Sequence, residues 1–217
     1  MRCISCKRHL LLRFYFLIVL MWPVIAEGAS FASVPSGIDQ DEAESFIRAL
    51  SSQAARTLSS HDLSDTKRIR YFRELLAATI DLESIGRFVL GRHWRKATEV
   101  QRLEFLELFE DLTVYTWAKR FRDYSDKGLT VIRVRPEAGD TMVETTLRQP
   151  QKGAPLSVLW RLRRSEKGIR VTDLVVEGVS MAVTYRSEYS AVIQHSGDVA
   201  GLLVVLRTKI DSLKSSH

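Results

Sequence analysis

The chain has 217 residues, 45% apolar and 27% charged, with a formal charge of +6 and a pI near 9.5. These are the proportions of an ordinary globular protein, one domain or one with an appendage. They exclude a disordered chain, a collagen-like fibre and a multi-span membrane protein. The charge is unevenly placed: residues 1–32 hold Arg2, Lys7, Arg8 and Arg13 against Glu27 alone, so the remainder is only mildly basic.

The first segment reads as an address. After the basic start, Phe14 to Ile25 runs without a charge, and the small residues Ala26, Gly28, Ala29, Ser30 and Ala32 follow. A charged region, a short apolar run and a small-residue cleavage site make a secretory signal peptide, here residues 1–32, cut after Ala26 or Ala32. A membrane span needs about 20 apolar residues, more than this run supplies. Both cysteines, Cys3 and Cys6, leave with the leader, so the mature chain has no disulfide and no thiol chemistry. At about 185 residues it can still bury an ordinary core.

Residues 33–38 read as a linker, and a single domain over 39–217 follows. Asp39 caps a first predicted helix carrying Ala43, Phe46, Ile47, Leu50, Ala54 and Leu58 at helical spacing. Ser64 caps a second, with Ile69, Phe72, Leu75, Leu76 and Ile80 on one face. Asp81 starts a short third, with Ile85, Phe88 and Val89 apolar and Gly91 at its C-terminal end. Thr98 and Gln101 form a capping-box pattern that opens a long helix to about Tyr124. Its stripe is Leu103, Leu106, Phe109, Leu112 and Trp117, with Phe105, Leu108, Val114 and Tyr115 lying off it.

The period then changes. Residues 129–135, 141–149, 156–164 and 169–176 read as strands, joined by loops short enough to imply antiparallel neighbours. In the third, Leu156, Val158, Trp160 and Leu162 point one way and Arg161 and Arg163 the other. In the fourth, Leu174 and Val176 are expected opposite Ile169, Val171 and Val175. Two helices close the chain, from about Met181 to Gln194 and from Asp198 to about Leu213. Helices, a four-stranded antiparallel meander and more helices make an α+β fold. More apolar surface is present than one helix–sheet seam needs, which fits either a two-sided core or an apolar cavity.

The residues hold no recognisable catalytic constellation. His61, His93, His195 and His217 have no metal-ligand spacing. Ser180, in Glu177-Gly178-Val179-Ser180, lacks the trailing glycine of a nucleophile elbow. Asp81 and Glu83 are a carboxylate pair by sequence, but they diverge on a helix and suit its N-terminal dipole. No glycine-rich phosphate loop is present. The chain is read as a non-enzyme without cofactor. Arg87, Arg92, Arg95 and Lys96 surround Trp94, and Lys119, Arg120 and Arg122 follow Trp117. Arginine beside aromatics can bind single strands. In an exported protein it suits anionic head groups or an acidic partner better, and no nucleic-acid partner is expected.

Three stretches carry a resemblance. Val89-Leu90-Gly91-Arg92-His93-Trp94-Arg95-Lys96-Ala97-Thr98, continuing through Gln101-Arg102 to Phe105, is similar to the helical signature of the MlaC family, also called the toluene-tolerance family. Glu177-Gly178-Val179-Ser180-Met181 resembles its second signature. Tyr185-Arg186-Ser187-Glu188-Tyr189, with Gly201-Leu202 and Leu206, resembles its C-terminal helices. The resemblance spans about residues 40–213.

It implies a periplasmic carrier of diacyl phospholipid between an outer-membrane lipoprotein complex and an inner-membrane ABC transporter with MCE-domain subunits. It also implies a monomer whose acyl chains enter between sheet and helices while the head group stays outside. A hopanoid-associated subfamily implies a different lipid as the alternative, and a binding module for a small apolar molecule is a further one. The expected lipid-binding residues are Ile85, Val89, Trp94, Phe109, Leu112, Val158, Trp160, Val179 and Met181. Arg92, Arg95, Lys96 and Arg102 are the expected head-group or partner surface. Val179 is singled out because Gly178 permits a sharp turn where the last strand meets a helix, which should aim Val179 into the space between the layers.

Overall fold

The computed structural model describes residues 37–58, 62–118, 128–148 and 154–215. The leader, both cysteines, most of the linker, His61, Lys119, Arg120, Arg122, His217 and the far end of the long helix lie outside the described residues. The described elements are α1 (Gln40–Leu58), α2 (Asp65–Thr79), α3 (Leu82–Leu90), α4 (Arg92–Lys96), α5 (Glu99–Trp117), β1 (Leu129–Glu137), β2 (Asp140–Leu147), β3 (Leu156–Ser165), β4 (Gly168–Val176), β5 (Val179–Ser180), α6 (Met181–Ser196) and α7 (Val199–Ser215). The fold is α+β.

The helix starts follow local chemistry. The Asp39 carboxylate accepts from Glu42 N at 2.8 Å, Ser64 Oγ from Lys67 N, and Asp81 from Ser84 N at 3.0 Å. Thr98 and Gln101 close a reciprocal capping box at 3.2 and 3.0 Å. Each cap satisfies backbone donors that a helix leaves unpaired. Arg68, fully buried, donates to the carbonyls of Leu58 and Leu63 and so ties the end of α1 to α2. Arg73 reaches Glu110 at 2.7 Å and Asp111 at 2.6 Å, joining α2 to α5.

The long helix corrects one expectation. Phe105 is fully buried, whereas Leu103, expected on the buried stripe, is 58% exposed. The reason is that α5 serves two cores. Phe105 and Phe109 pack with α3, α6 and α7, while Val114 packs with α1 and α2. A helix buried on two sides at different heights has no single stripe. The five-residue α4, absent from the sequence reading, follows directly after Gly91.

The sheet is antiparallel in the order β1-β2-β3-β4-β5. The expected loop 136–140 is shorter than its residues suggest. Pro136 and Glu137 belong to β1, and only Ala138 and Gly139 turn, both at positive φ (51° and 87°). That is the requirement of a type I′ hairpin, whose twist matches the flanking strands. Glu177 and Gly178 repeat it (49° and 80°) and fold the chain back into the unexpected two-residue β5.

A register shift in β4 decides how apolar surface is distributed. Arg161 opposes Asp173 but Leu162 opposes Val171, so Thr172 is an extra residue on β4. Residues directly opposite share a face. The shift therefore brings Ile169, Val171, Leu174 and Val176 onto one face with Leu162, Trp160 and Val158. This corrects the expected split of β4, which simple alternation would have produced. A bulge is the ordinary way a strand changes phase. Ala43 and Ile47 of α1 cover one part of this face, packing on Val143, Leu162, Ile169 and Val171.

Candidate functional site

The described apolar residues gather in three places. A helical cluster holds Val89, Leu90, Phe105, Phe109, Tyr189 and Leu202 among others; a second joins α1 to the sheet; a third joins α1, α2 and α5. Phe109 is the hub of the helical cluster. It stacks on Phe105 at 5.7 Å and meets Tyr185 and Tyr189 edge-on at 5.7 and 6.3 Å. The Tyr189 hydroxyl is buried without a hydrogen-bond partner among the described residues, and burial pushes its ionisation up.

The expected lipid-binding residues are not brought into one wall. Val89, Phe109, Ile85, Trp94 and Leu112 belong to or pack on the helical cluster. Trp160 packs in the sheet–α1 cluster, and its Nε1 donates to Thr145 Oγ1 at 3.0 Å. Val158 is buried on the same face as Trp160 but lies outside all three clusters. Met181 opens α6 and is half-buried. Val179 corrects its expectation. It pairs with Val176 in β5, and with 53% of its surface exposed it lies at the open edge of the sheet rather than between the layers. Gly178 does turn the chain sharply, but a two-residue hairpin returns Val179 alongside its own strand.

What fixes α6 against the sheet is Asp173, which the sequence reading did not single out. Its carboxylate accepts from Leu174 N at 2.8 Å, from Ala182 N at 3.0 Å and from Ser180 Oγ at 2.6 Å. Ser180 Oγ in turn accepts from Val183 N at 3.1 Å and caps α6. An acid set directly before the apolar run Leu174–Val176 was the available signal.

Of the expected head-group residues, Arg102 lies against Trp94, and Arg87 joins it there. The guanidinium carbons of Arg87 and Arg102 both lie 5.5 Å from its ring centre, and Arg102 Nε donates to the Trp94 carbonyl at 2.8 Å. Arg92, Arg95 and Lys96 are exposed, while Arg102 is half-buried. Partial burial, then the charges of Arg92 and Lys96, hold the His93 imidazole below the ordinary histidine range. Among the described residues no group of three His, Cys, Asp or Glu side chains could hold a metal. A hollow lined by Asp39, Gln40, Asp41, Glu42 and Ser45 sits at the start of α1. Its lining is entirely polar, so it does not suit acyl chains.

The intermembrane phospholipid transport system binding protein MlaC of Haemophilus influenzae is 28% identical over 152 residues, covering 64% of this chain and 71% of that protein. A phospholipid-binding protein from Ralstonia solanacearum, solved in complex with a phospholipid, superposes with a TM-score of 0.69 at 23% identity, covering 79% of this chain and 98% of that one. At that identity the match speaks for the fold. The family model described as MlaC protein matches residues 48–208, most of the chain, and the chain belongs to the MlaC family.

Proposed function

We propose that this protein is a periplasmic carrier of a diacyl phospholipid, exported by a cleaved leader. Membership of the MlaC family carries the reading. The Haemophilus relative is a phospholipid transport binding protein, and the Ralstonia neighbour holds a phospholipid. The bulge in β4 supports it physically, because it gathers the apolar side chains of β3 and β4 onto one face. Val158 and Val176 lie on that face outside all three clusters. Acyl chains would lie along this stretch, with Trp160 and Met181 at its sides and Val179 at its outer lip.

Each buried methylene contributes about 0.8 kcal/mol. Two chains of about 15 methylenes give a gross term of roughly 24 kcal/mol by the same increment. A bilayer offers the same gain, so uptake and release come near balance only if the cavity is dry and deep. Direction then comes from partners: the outer-membrane lipoprotein complex on one side and the MCE-type ABC transporter on the other.

The test is mass spectrometry of organic extracts from mature protein purified from a bacterial periplasm. A diacyl phospholipid at roughly stoichiometric amount is expected. Extracts holding a hopanoid instead would transfer the reading to the other lipid class. Lipid-free protein, under conditions in which a known carrier keeps its cargo, would refute it.

A further inference from the structure

We infer that the corner between α3 and α4, together with the first turns of α6, is a landing surface for an anionic phospholipid bilayer. Residues 86–98 contain Arg87, Arg92, Arg95 and Lys96 and no acid. Arg102 and Arg186 join them in space, through the Trp94 carbonyl and the Phe88 ring respectively. None of these six cations has a carboxylate within ion-pairing distance among the described residues. Most described arginines elsewhere are matched, among them Arg48 with Glu44, Arg73 with Glu110 and Asp111, Arg163 with Asp140 and Arg207 with Glu104, while Arg56, Arg148 and Arg170 are scattered exceptions. The unmatched charge is thus concentrated at this corner, where six such cations lie together, rather than spread evenly over a basic protein.

Apolar side chains stand exposed in the same place. Phe88 is 42% exposed, with the Arg186 guanidinium carbon 4.8 Å from its ring centre. Val183, 55% exposed, lies one turn before Arg186 on the same side of α6. Gly91 makes the pairing possible: a Cβ there would fall 3.0 Å from the Arg186 guanidinium. A solvated charged face explains the cations taken singly, but it does not explain an aromatic ring and a valine held out among them. Guanidinium groups matching phosphates, around apolar side chains able to enter the head-group layer, describe an interfacial surface. An acidic protein would satisfy the cations but needs no exposed aromatic at their centre. The inference is separable from the carrier reading, since landing requires no cargo.

The probe is the mature full chain floated with vesicles of phosphatidylcholine, with and without phosphatidylglycerol. Binding is expected only with phosphatidylglycerol and should weaken as salt rises, because five of the six cations are exposed. Each basic residue near an anionic surface contributes about a fivefold factor. The double variant Arg87→Gln/Arg186→Gln should therefore lower the partition coefficient by roughly 30-fold. Phe88→Ser should lower it without altering the salt dependence. The control Arg48→Gln/Arg70→Gln, which removes the same charge from α1 and α2, should bind as wild type.

Equal loss in the control, no loss in either surface variant, or no flotation at all would overturn the inference. Capture by polyglutamate without flotation would overturn it in favour of an acidic protein. The lipid content of the same preparations is read separately: protein that floats but carries no lipid refutes the carrier, whereas protein that carries lipid but does not float refutes the landing surface.

Discussion

Replacing Asp173 with Ala removes three hydrogen bonds at the point where α6 leaves the sheet. Two come from backbone N–H groups, Leu174 at 2.8 Å and Ala182 at 3.0 Å, and one from Ser180 Oγ at 2.6 Å. A hydrogen bond to a charged group contributes about 1.5–3 kcal/mol when buried. Asp173 is half-buried, so water can replace part of each bond. A total of about 3 kcal/mol is the reasonable expectation. For a domain of this size each kcal/mol shifts the melting temperature by about 2–4 °C, so Asp173→Ala should melt roughly 6–12 °C lower.

Ser180→Ala removes the α6 cap and one of the three bonds, and should cost about 1–2 kcal/mol. The two losses share the Ser180–Asp173 bond, so the double variant should be less destabilised than the sum of the singles. Circular dichroism melts of the four proteins give the cycle. Lipid extraction from the folded variants reads whether the seat of α6 also governs cargo. An Asp173→Ala protein melting within about 1 °C of wild type would refute the reasoning, as would strict additivity with Ser180→Ala, since the coupling is what a shared bond means.

Gly91→Ala should destabilise by about 1–3 kcal/mol, because its φ of 52° with ψ of −122° is a conformation that L side chains avoid, and because the new Cβ meets Arg186; a chemical denaturation curve measures it. Asp140 is buried. Burial would raise its carboxyl, but Arg163 at 2.7 Å and then Arg161 outweigh that and hold it below the ordinary carboxylate range. Its contribution is therefore complete above the unfolded carboxylate value and is lost as pH falls through the depressed folded one. Asp140→Asn should cost about 1–3 kcal/mol at neutral pH and flatten the loss of stability below about pH 4, read by melts across that range. His93 should titrate below the ordinary histidine value, and Lys96→Ala should raise its midpoint, as followed by its imidazole proton resonances. Val179→Glu should fold with stability within about 0.5 kcal/mol of wild type, because an exposed position can hydrate the carboxylate; a melt showing collapse would mean that Val179 is enclosed after all.

The amino-acid sequence by itself determined four of the helix starts and the four long strands. Asp39, Ser64, Asp81 and Thr98 each cap through a donor within three residues, so no distant contact is needed to place them. The two-residue side-chain period of β3 likewise survives folding, with Trp160 and Leu162 on one face. The tertiary structure decided what depends on pairing. The extra residue at Thr172 exists only relative to Leu162 and Arg161 across the ladder, and it moves Leu174 to the face that simple alternation denied it. The return of Val179 beside Val176 is set by backbone sign at Glu177 and Gly178, not by apolar pattern. Helix α4 is too short to show a period. The seating of Arg186 between Gly91 and Phe88 joins residues nearly a hundred positions apart, and Asp173 acquires its role only when α6 arrives to donate to it. Local hydrogen bonds and side-chain period are written along the chain, whereas register, bulges and cation placement are properties of neighbours that only folding brings together.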